Sequence, residues 1–439
     1  MARIIVAESE PMLATQLRGL TQRFGEDVLH ARNSDEVLAL VAPPEVADIL
    51  ILDDSLGSDV LGVLELLSQA SPPVIWVSKP CAPSGCAEIY RRGISYNVIK
   101  PHHPRELLSC VHATLQKQVR IVCIGGGAGL YTLLLGLKAL PRTHLTSIVS
   151  VSDDGGSSGR IRDSFGRLPP GDIRRSLVAL SSAPDLMKKI MSYRFSRGEG
   201  LVDHNLGNLL LTAMSEITGS DAEGIRAMGD VLTIQGIVLP VGTAVNELCA
   251  KLEDGTVIRG ERNIDVPDGR DPALRIVELW QDPPIEANPN AISSILAADL
   301  VTIGPGDLFT SVIANLKVGE IPDALRQTRA RVVYLCNLMS KPGETAGYSA
   351  CDHVRDIVAN LGEGVLDDVV VSVTQVDADA ERRYAELGQE VVSVELDALR
   401  ERFPGVTVWE ADIGSAEELV RHDPEKLAAF IADMLGLSA

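Results

Sequence analysis

Three times in this chain a short apolar run breaks directly into a glycine-rich loop, and that repetition sets the class of fold. Arg120-Ile121-Val122-Cys123-Ile124 opens into Gly125-Gly126-Gly127-Ala128-Gly129-Leu130, followed by an apolar stretch with helical spacing from Tyr131 to Leu140. Val149-Ser150-Val151-Ser152 runs into Asp153-Asp154-Gly155-Gly156-Ser157-Ser158-Gly159-Arg160. Leu300 to Ile303 leads into Gly304-Pro305-Gly306-Asp307-Leu308-Phe309-Thr310-Ser311. Apolar runs this short read as strands buried on both faces, which belong to parallel sheets covered by helices. All three loops then share one sheet edge, the carboxyl edge, where α/β proteins bind ligands.

Each loop carries chemistry for an anion. Gly126, Gly127, Gly129 and Gly155 let backbone N–H groups close on a phosphate, and Ser157, Ser158 and Arg160 add donors. Asp153 and Asp154 suit a metal or a sugar hydroxyl, and are the candidates for catalysis if the chain has any. After Gly304 and Gly306, Thr310 and Ser311 stand where a helix start donates to phosphate. Leu130 replaces the third glycine of the dinucleotide fingerprint, so the first loop by itself is a weak signal. Between residues 160 and 175, Arg160, Arg162, Arg167, Arg174 and Arg175 face only Asp163 and Asp172 around a stiff Pro-Pro-Gly turn. That is a basic island in a chain of net charge −20. Asn208 and Asn337 read either as amide partners for a base or sugar or as turn caps. His204 has no second histidine at metal spacing and reads as a structural residue.

The acidic balance argues against sequence-independent nucleic-acid binding, which needs many Lys and Arg to neutralise phosphates. The seven cysteines, at 81, 86, 110, 123, 249, 336 and 351, form no metal-ligand spacing. Together with a start that lacks signal-peptide architecture, they point to a reducing cytoplasm. Residues 121–137 are uncharged, but five of them are glycine, so no membrane span is expected. The length suits two or three domains. Residues 1–118 alternate strand (4–7, 49–52, 74–77) with helix (12–23, 60–68, 105–118). A larger α/β unit follows over 119–439 without a linker. It ends in strand 369–373, helix 378–389, strand 391–395, helix 396–402, strand 406–409 and a helix from Asp423-Pro424 to about Leu435.

Asp53 closes an apolar strand, and residues 3 to about 117 resemble the receiver domain of two-component response regulators. The resemblance implies a flavodoxin-like fold with Asp53 as phospho-acceptor, Ser78 as the hydroxyl after the fourth strand, and Lys100, ahead of Pro101, as the phosphoryl-pairing lysine. Receivers usually hold Mg²⁺ with two acidic residues after the first strand; here these are Glu8 and Ser9. Glu8 and Asp53 would leave a weak Mg²⁺ site, with Glu10 as a substitute ligand and Asp54 as a rival acceptor. A receiver-shaped interaction or dimerisation module is the alternative.

From Arg120 onward the chain resembles the YvcK/CofD-like family. The resemblance rests on the three loops above together with Pro169-Pro170-Gly171-Asp172-Ile173-Arg174, His204-Asn205-Leu206-Gly207-Asn208, and Cys336-Asn337-Leu338-Met339 with Pro342-Gly343-Glu344-Thr345. It implies a Rossmann-like, doubly wound fold. It also implies a UDP-sugar ligand, chiefly UDP-N-acetylglucosamine, and a regulator linking carbon supply to cell-wall precursor synthesis and cell shape. A cell-wall precursor enzyme would be the protein partner. The enzymatic branch of the family instead transfers a phospholactyl group to a deazaflavin. Gly-Gly-Ser-Ser-Gly-Arg after the paired aspartates resembles the regulatory branch more closely. Phe309 stands where the family usually has a tyrosine thought to contact the nucleotide. A group transferase using Mg²⁺ and a nicotinamide-dependent oxidoreductase stay open as alternatives.

Overall fold

The structure is a computed structural model that describes residues 2–9, 11–21, 27–41, 47–57, 63–64, 72–100, 102, 104–415 and 420–437. The chain divides into two compact units. The first comprises residues 1–120 with the segments 292–299 and 327–330, and the second comprises the remainder.

In the first unit β1 (Arg3–Ala7), β2 (Asp27–Ala31), β3 (Ile49–Asp53), β4 (Val74–Ser78) and β5 (Ile94–Ile99) form a parallel sheet in the order β2-β1-β3-β4-β5. This is the flavodoxin-like order, in which the chain reverses direction beside β1 and places its site at the carboxyl ends of β1 and β3. Every residue of β3 is buried, as its unbroken Ile-Leu-Ile-Leu run requires. Sequence reading misses β2 and β5 because His30 and Asn97 interrupt their apolar runs. The helix expected over 60–68 lies largely outside the described residues, although Val63 and Leu64 are buried. Within this unit the Tyr90 hydroxyl meets Ser293 and accepts the Asn97 N–H, and Arg120 makes a fork to Asp299.

The second unit is built on β6 (Val119–Gly125), β7 (Thr143–Val149) and β8 (Ile237–Pro240). A small antiparallel sheet follows, made of β9 (Glu247–Leu252), β10 (Val257–Arg259) and β11 (Ile276–Asp282). Then come β12 (Leu300–Ile303), β13 (Arg331–Leu335), β14 (Asp368–Ser372) and β15 (Thr407–Ala411). The main sheet runs β15-β14-β13-β12-β6-β7-β8. From β6 the chain winds one way to β7 and β8, and from β12 the other way to β15. The crevice therefore opens between β6 and β12. There the first and third glycine loops touch: a Cβ on Gly129 would lie 2.3 Å from the Pro305 carbonyl oxygen, so only glycine fits. Leu130, Leu133, Leu134 and Leu137 form the buried face of the helix Gly127–Leu137. At roughly 1.5–3 kcal/mol for each buried leucine, this face anchors the glycine loop from below.

Two expectations are corrected. Residues 391–395 do not form a strand; Val391 and Ser393 make isolated bridges to Met339 and Ser349 because the segment pairs with loops rather than with a sheet edge. Cys81 and Cys86 form a disulfide, since the turn into the helix Pro83–Arg91 brings them together; the other five cysteines are free and buried. Among the described residues no helix is long and apolar enough to cross a membrane.

Candidate functional site

The three loops gather at one edge, where several of their anion donors are already committed to internal carboxylates. Asp172, buried at the start of the helix Pro170–Leu180, accepts the Gly127 N–H, and its oxygen lies 2.5 Å from where a Cβ of Gly126 would be. Burial pushes the Asp172 carboxyl up, with Arg175 opposing. At the third loop Glu344 accepts the Phe309 N–H at 2.8 Å, the Thr310 N–H at 3.2 Å and the Thr310 hydroxyl at 2.7 Å. One N–H at the first helix start and two at the third are thus capped from within. The Gly127 N–H and the Thr310 donors, both expected at a phosphate, therefore have partners within the chain. Phe309 packs in the core with its edge against Tyr348. Ser311 is buried beside Gly126.

The second loop assembles differently. Ser157 and Ser158, in the first turn of the helix Gly156–Phe165, lie beside the Asn208 amide nitrogen at 3.3 and 3.5 Å. The Asn205 N–H donates to Ser157 Oγ, and His204 Nδ1 stands 3.3 Å from the same atom. Asn208 Oδ1 in turn accepts from Arg174 Nε at 2.8 Å. Arg174 also donates to the Met191 carbonyl and has no carboxylate partner among the described residues. Burial, with Arg175 nearby, pulls its guanidinium down to about 10. The rest of the arginine island is neutralised locally: Arg162 by Asp163, Arg167 by Glu216, and Arg175 by Asp172. Arg160 is exposed and donates to the Val202 carbonyl. Asp153 accepts the Gly155 N–H, and Asp154 accepts the Arg262 N–H from across the site.

A cavity of about 310 Å³ opens at the β6–β12 crevice. Its floor is the backbone of Gly129 and Gly306, clamped by Asn337, whose amide both accepts from the Gly306 N–H and donates to the Gly306 carbonyl. Lys341, Arg421 and Asp307 supply charge, while Leu338, Met339, Tyr384 and Val420 supply apolar wall. The Tyr384 oxygen accepts the Val420 N–H and so holds that wall in place. His422 Nε2 donates to the Cys336 carbonyl at 3.2 Å, and burial pulls the pKa of the ring down to about 4, so it is neutral. Asn337, Gly129 and Gly306 were legible as site residues. Tyr384, Lys341 and Arg421 were not, because nothing near them in sequence marks them.

Between the cavity and the second loop stands a concentration of acid. Glu261 is pushed up to about 9, first by desolvation and then by Asp153, Asp265, Asp154 and Glu344. Glu344 is itself raised to about 7 by burial and by Asp307. Sequence spacing gave no sign of Glu261 or Asp265, which arrive on the short helix Glu261–Asp265 after the small sheet.

In the first unit Lys100 lies 2.8 Å from Asp53 and also pairs with Asp54, whose other oxygen accepts the Lys79 N–H. The Ser78 hydroxyl donates to Asn97. Both oxygens of Glu8 cap the helix Met12–Thr21, accepting the Leu13 and Ala14 N–H groups at 2.8 Å, so the carboxylate expected at Mg²⁺ is engaged by backbone. Glu10 lies outside the described residues.

Comparisons with known proteins establish the family of the second unit. Residues 121–413 match the family model described as 2-phospho-L-lactate transferase CofD. The gluconeogenesis factor of Bacillus subtilis is 38% identical over 318 residues, covering 72% of this chain and 98% of that protein. The chain belongs to the YvcK/CofD-like family. The gluconeogenesis factor of Halalkalibacterium halodurans is 39% identical, covering 72% of this chain and 97% of that one. A crystal structure of a Bacillus halodurans protein, 39% identical, superposes with a TM-score of 0.68 over 72% of this chain and 99% of its own. The family match begins at Ile121, the first residue of the second unit.

Proposed function

We propose that this protein is a ligand-sensing regulator that binds a UDP-sugar, UDP-N-acetylglucosamine first among them, in the β6–β12 cavity. The carrying observation is the composition of that cavity: bare glycine backbone and a locked amide on its floor, two cations at its sides and an aromatic wall. Glycine backbone admits a diphosphate closely, cations neutralise it, and an aromatic face takes a base. The relatives' name, gluconeogenesis factor, supports a role in the control of carbon use. On this reading the ligand reports precursor supply to a cell-wall enzyme in the cytoplasm and so influences cell shape. The first unit, with its Mg²⁺ position compromised at Glu8, serves as an input or interaction module, and as a dimer contact if two chains associate.

Isothermal titration of the full chain with UDP-N-acetylglucosamine, UDP, GDP and NAD tests this. Micromolar binding confined to the uridine ligands supports the reading. Binding of GDP or NAD with silent uridine ligands overturns it.

A second reading rests on Glu261. A carboxyl held protonated at neutral pH beside Asp153 and Asp154 is a proton donor for a leaving group, as a transferase of a phosphorus-containing group needs. The match to the transferase model of the family is its further support. Transfer of the distal phosphorus-containing group of a nucleoside-diphosphate-linked donor to an acceptor hydroxyl, with the P–O–P bond broken and GMP or UMP released, lost in Glu261→Gln, would establish it.

A further inference from the structure

Asp265, Asp307 and Glu344 each present a carboxylate oxygen within 4.8 Å of the others, a spacing that suits a divalent cation. The ammonium of Lys341 already stands there, ion-paired to Asp265 and, at 2.6 Å, to Asp307. Its stem is fixed at the base, because the Lys341 N–H donates to Thr345 Oγ1 at 2.9 Å. Glu344 is held beside the ammonium by the Phe309 and Thr310 N–H groups and the Thr310 hydroxyl, which its oxygens accept. Burial alone would pull the Lys341 ammonium down, but Asp307, Glu344 and Asp265 outweigh it and hold the group charged. A lysine has three N–H donors, and the two carboxylates take two of them. Lys341 and Asp307 also line the cavity at the β6–β12 crevice, so the third donor belongs to a group that faces ligand.

We propose that Lys341 is the resident cation of this cavity: its ammonium stands where a metal ion would otherwise sit among Asp265, Asp307 and Glu344, screens those acids from a bound diphosphate and gives it the remaining N–H, without Mg²⁺. A diphosphate brought beside three acids needs a positive charge between them. Mg²⁺ would have to dehydrate into a near-octahedral site, whereas a lysine is a compact charge on a flexible stem already in place. Mg²⁺ does not fit this trio while Lys341 fills it. As a proposal about a diphosphate ligand, it rests on the UDP-sugar reading.

Two measurements on the full chain test it. In titrations with Mn²⁺ alone, followed by electron paramagnetic resonance, the wild-type chain binds no ion at the trio. Lys341→Gln takes up one per chain, and adding Asp265→Asn removes it. Uptake by the wild type that Asp265→Asn abolishes, or no uptake by Lys341→Gln, overturns the proposal. In titrations with UDP-N-acetylglucosamine, the wild-type affinity is the same in EDTA and in Mg²⁺. Lys341→Gln loses about tenfold or more in EDTA and recovers in Mg²⁺, while Lys341→Arg, which keeps the charge, retains binding in EDTA. Equal binding by Lys341→Gln and wild type in EDTA also overturns it. If the wild type binds no uridine ligand at all, the UDP-sugar reading falls, and the Mn²⁺ titration still decides the role of Lys341 in the trio.

Discussion

Replacing Glu261 by glutamine should stabilise the second unit, by an amount that grows with pH. The folded carboxyl is raised from 4.5 to about 9, so between those values the native chain holds a proton that the unfolded chain releases. Stability therefore falls as pH rises through that window and levels off above it. Each pH unit is worth about 1.36 kcal/mol, giving a cost of roughly 4 kcal/mol at pH 7.5 for a fully dry group. Glu261 is only partly buried in the fold, and halving for solvent screening leaves about 2 kcal/mol. Glutamine keeps the shape and removes the titration. Urea unfolding of wild type and Glu261→Gln, followed by the fluorescence of Trp280 and Trp409, should show curves that nearly coincide at pH 5 and separate by about 2 kcal/mol at pH 8. A separation that is the same at both pH values would refute the reasoning, because it would place the effect in packing rather than in the proton.

Arg421→Ala should weaken UDP-N-acetylglucosamine binding about tenfold or more without changing the melting temperature, while Tyr384→Ala should weaken it as much and also lower the melting temperature, because the Val420 N–H loses its acceptor, read by titration and calorimetry. Asp154→Ala and Arg160→Ala should also weaken it without unfolding the second unit, and unchanged affinity in both variants would remove the second loop from the ligand site. Acetyl phosphate with Mg²⁺ should label Asp53 slowly and incompletely, since Lys100 is shared with Asp54 and Glu8 is a helix cap; rapid stoichiometric labelling, absent in Asp53→Asn, would contradict this. Glu8→Ala should destabilise the first unit by about 2 kcal/mol through two uncapped N–H groups, measured by chemical unfolding followed at Trp76.

The parallel sheets were legible because their central strands are unbroken apolar runs: β3, β6 and β12 end where the sequence places them, to within a residue or two. β2 and β5 escaped because a partly polar strand has no unbroken apolar run to mark it. The glycine loops were legible by local chemistry alone. What local chemistry omits is the partner of each donor. Gly127 meets Asp172 and Thr310 meets Glu344 across more than thirty residues of intervening chain, and Asn208 reaches back to Ser157 and Ser158 over a similar span. Lys341, Tyr384 and Arg421 converge only because the chain after β13 returns twice to the same crevice. The Asn337 amide could be read as ligand partner or cap; the fold uses it as a clamp on Gly306.

The capping of helix starts by Asp172 and Glu344 has a consequence for selectivity in a living cell. Free inorganic phosphate is abundant there, and a protein with bare helix N-termini along its crevice would be occupied by it whatever the state of metabolism. By filling two of those helix starts with its own acids, this chain leaves phosphate less to hold there. On the UDP-sugar reading, only a molecule that also reaches Tyr384 and the cations of the neighbouring cavity gains enough to stay, and a reporter of one metabolite has to be deaf to the commonest anion around it.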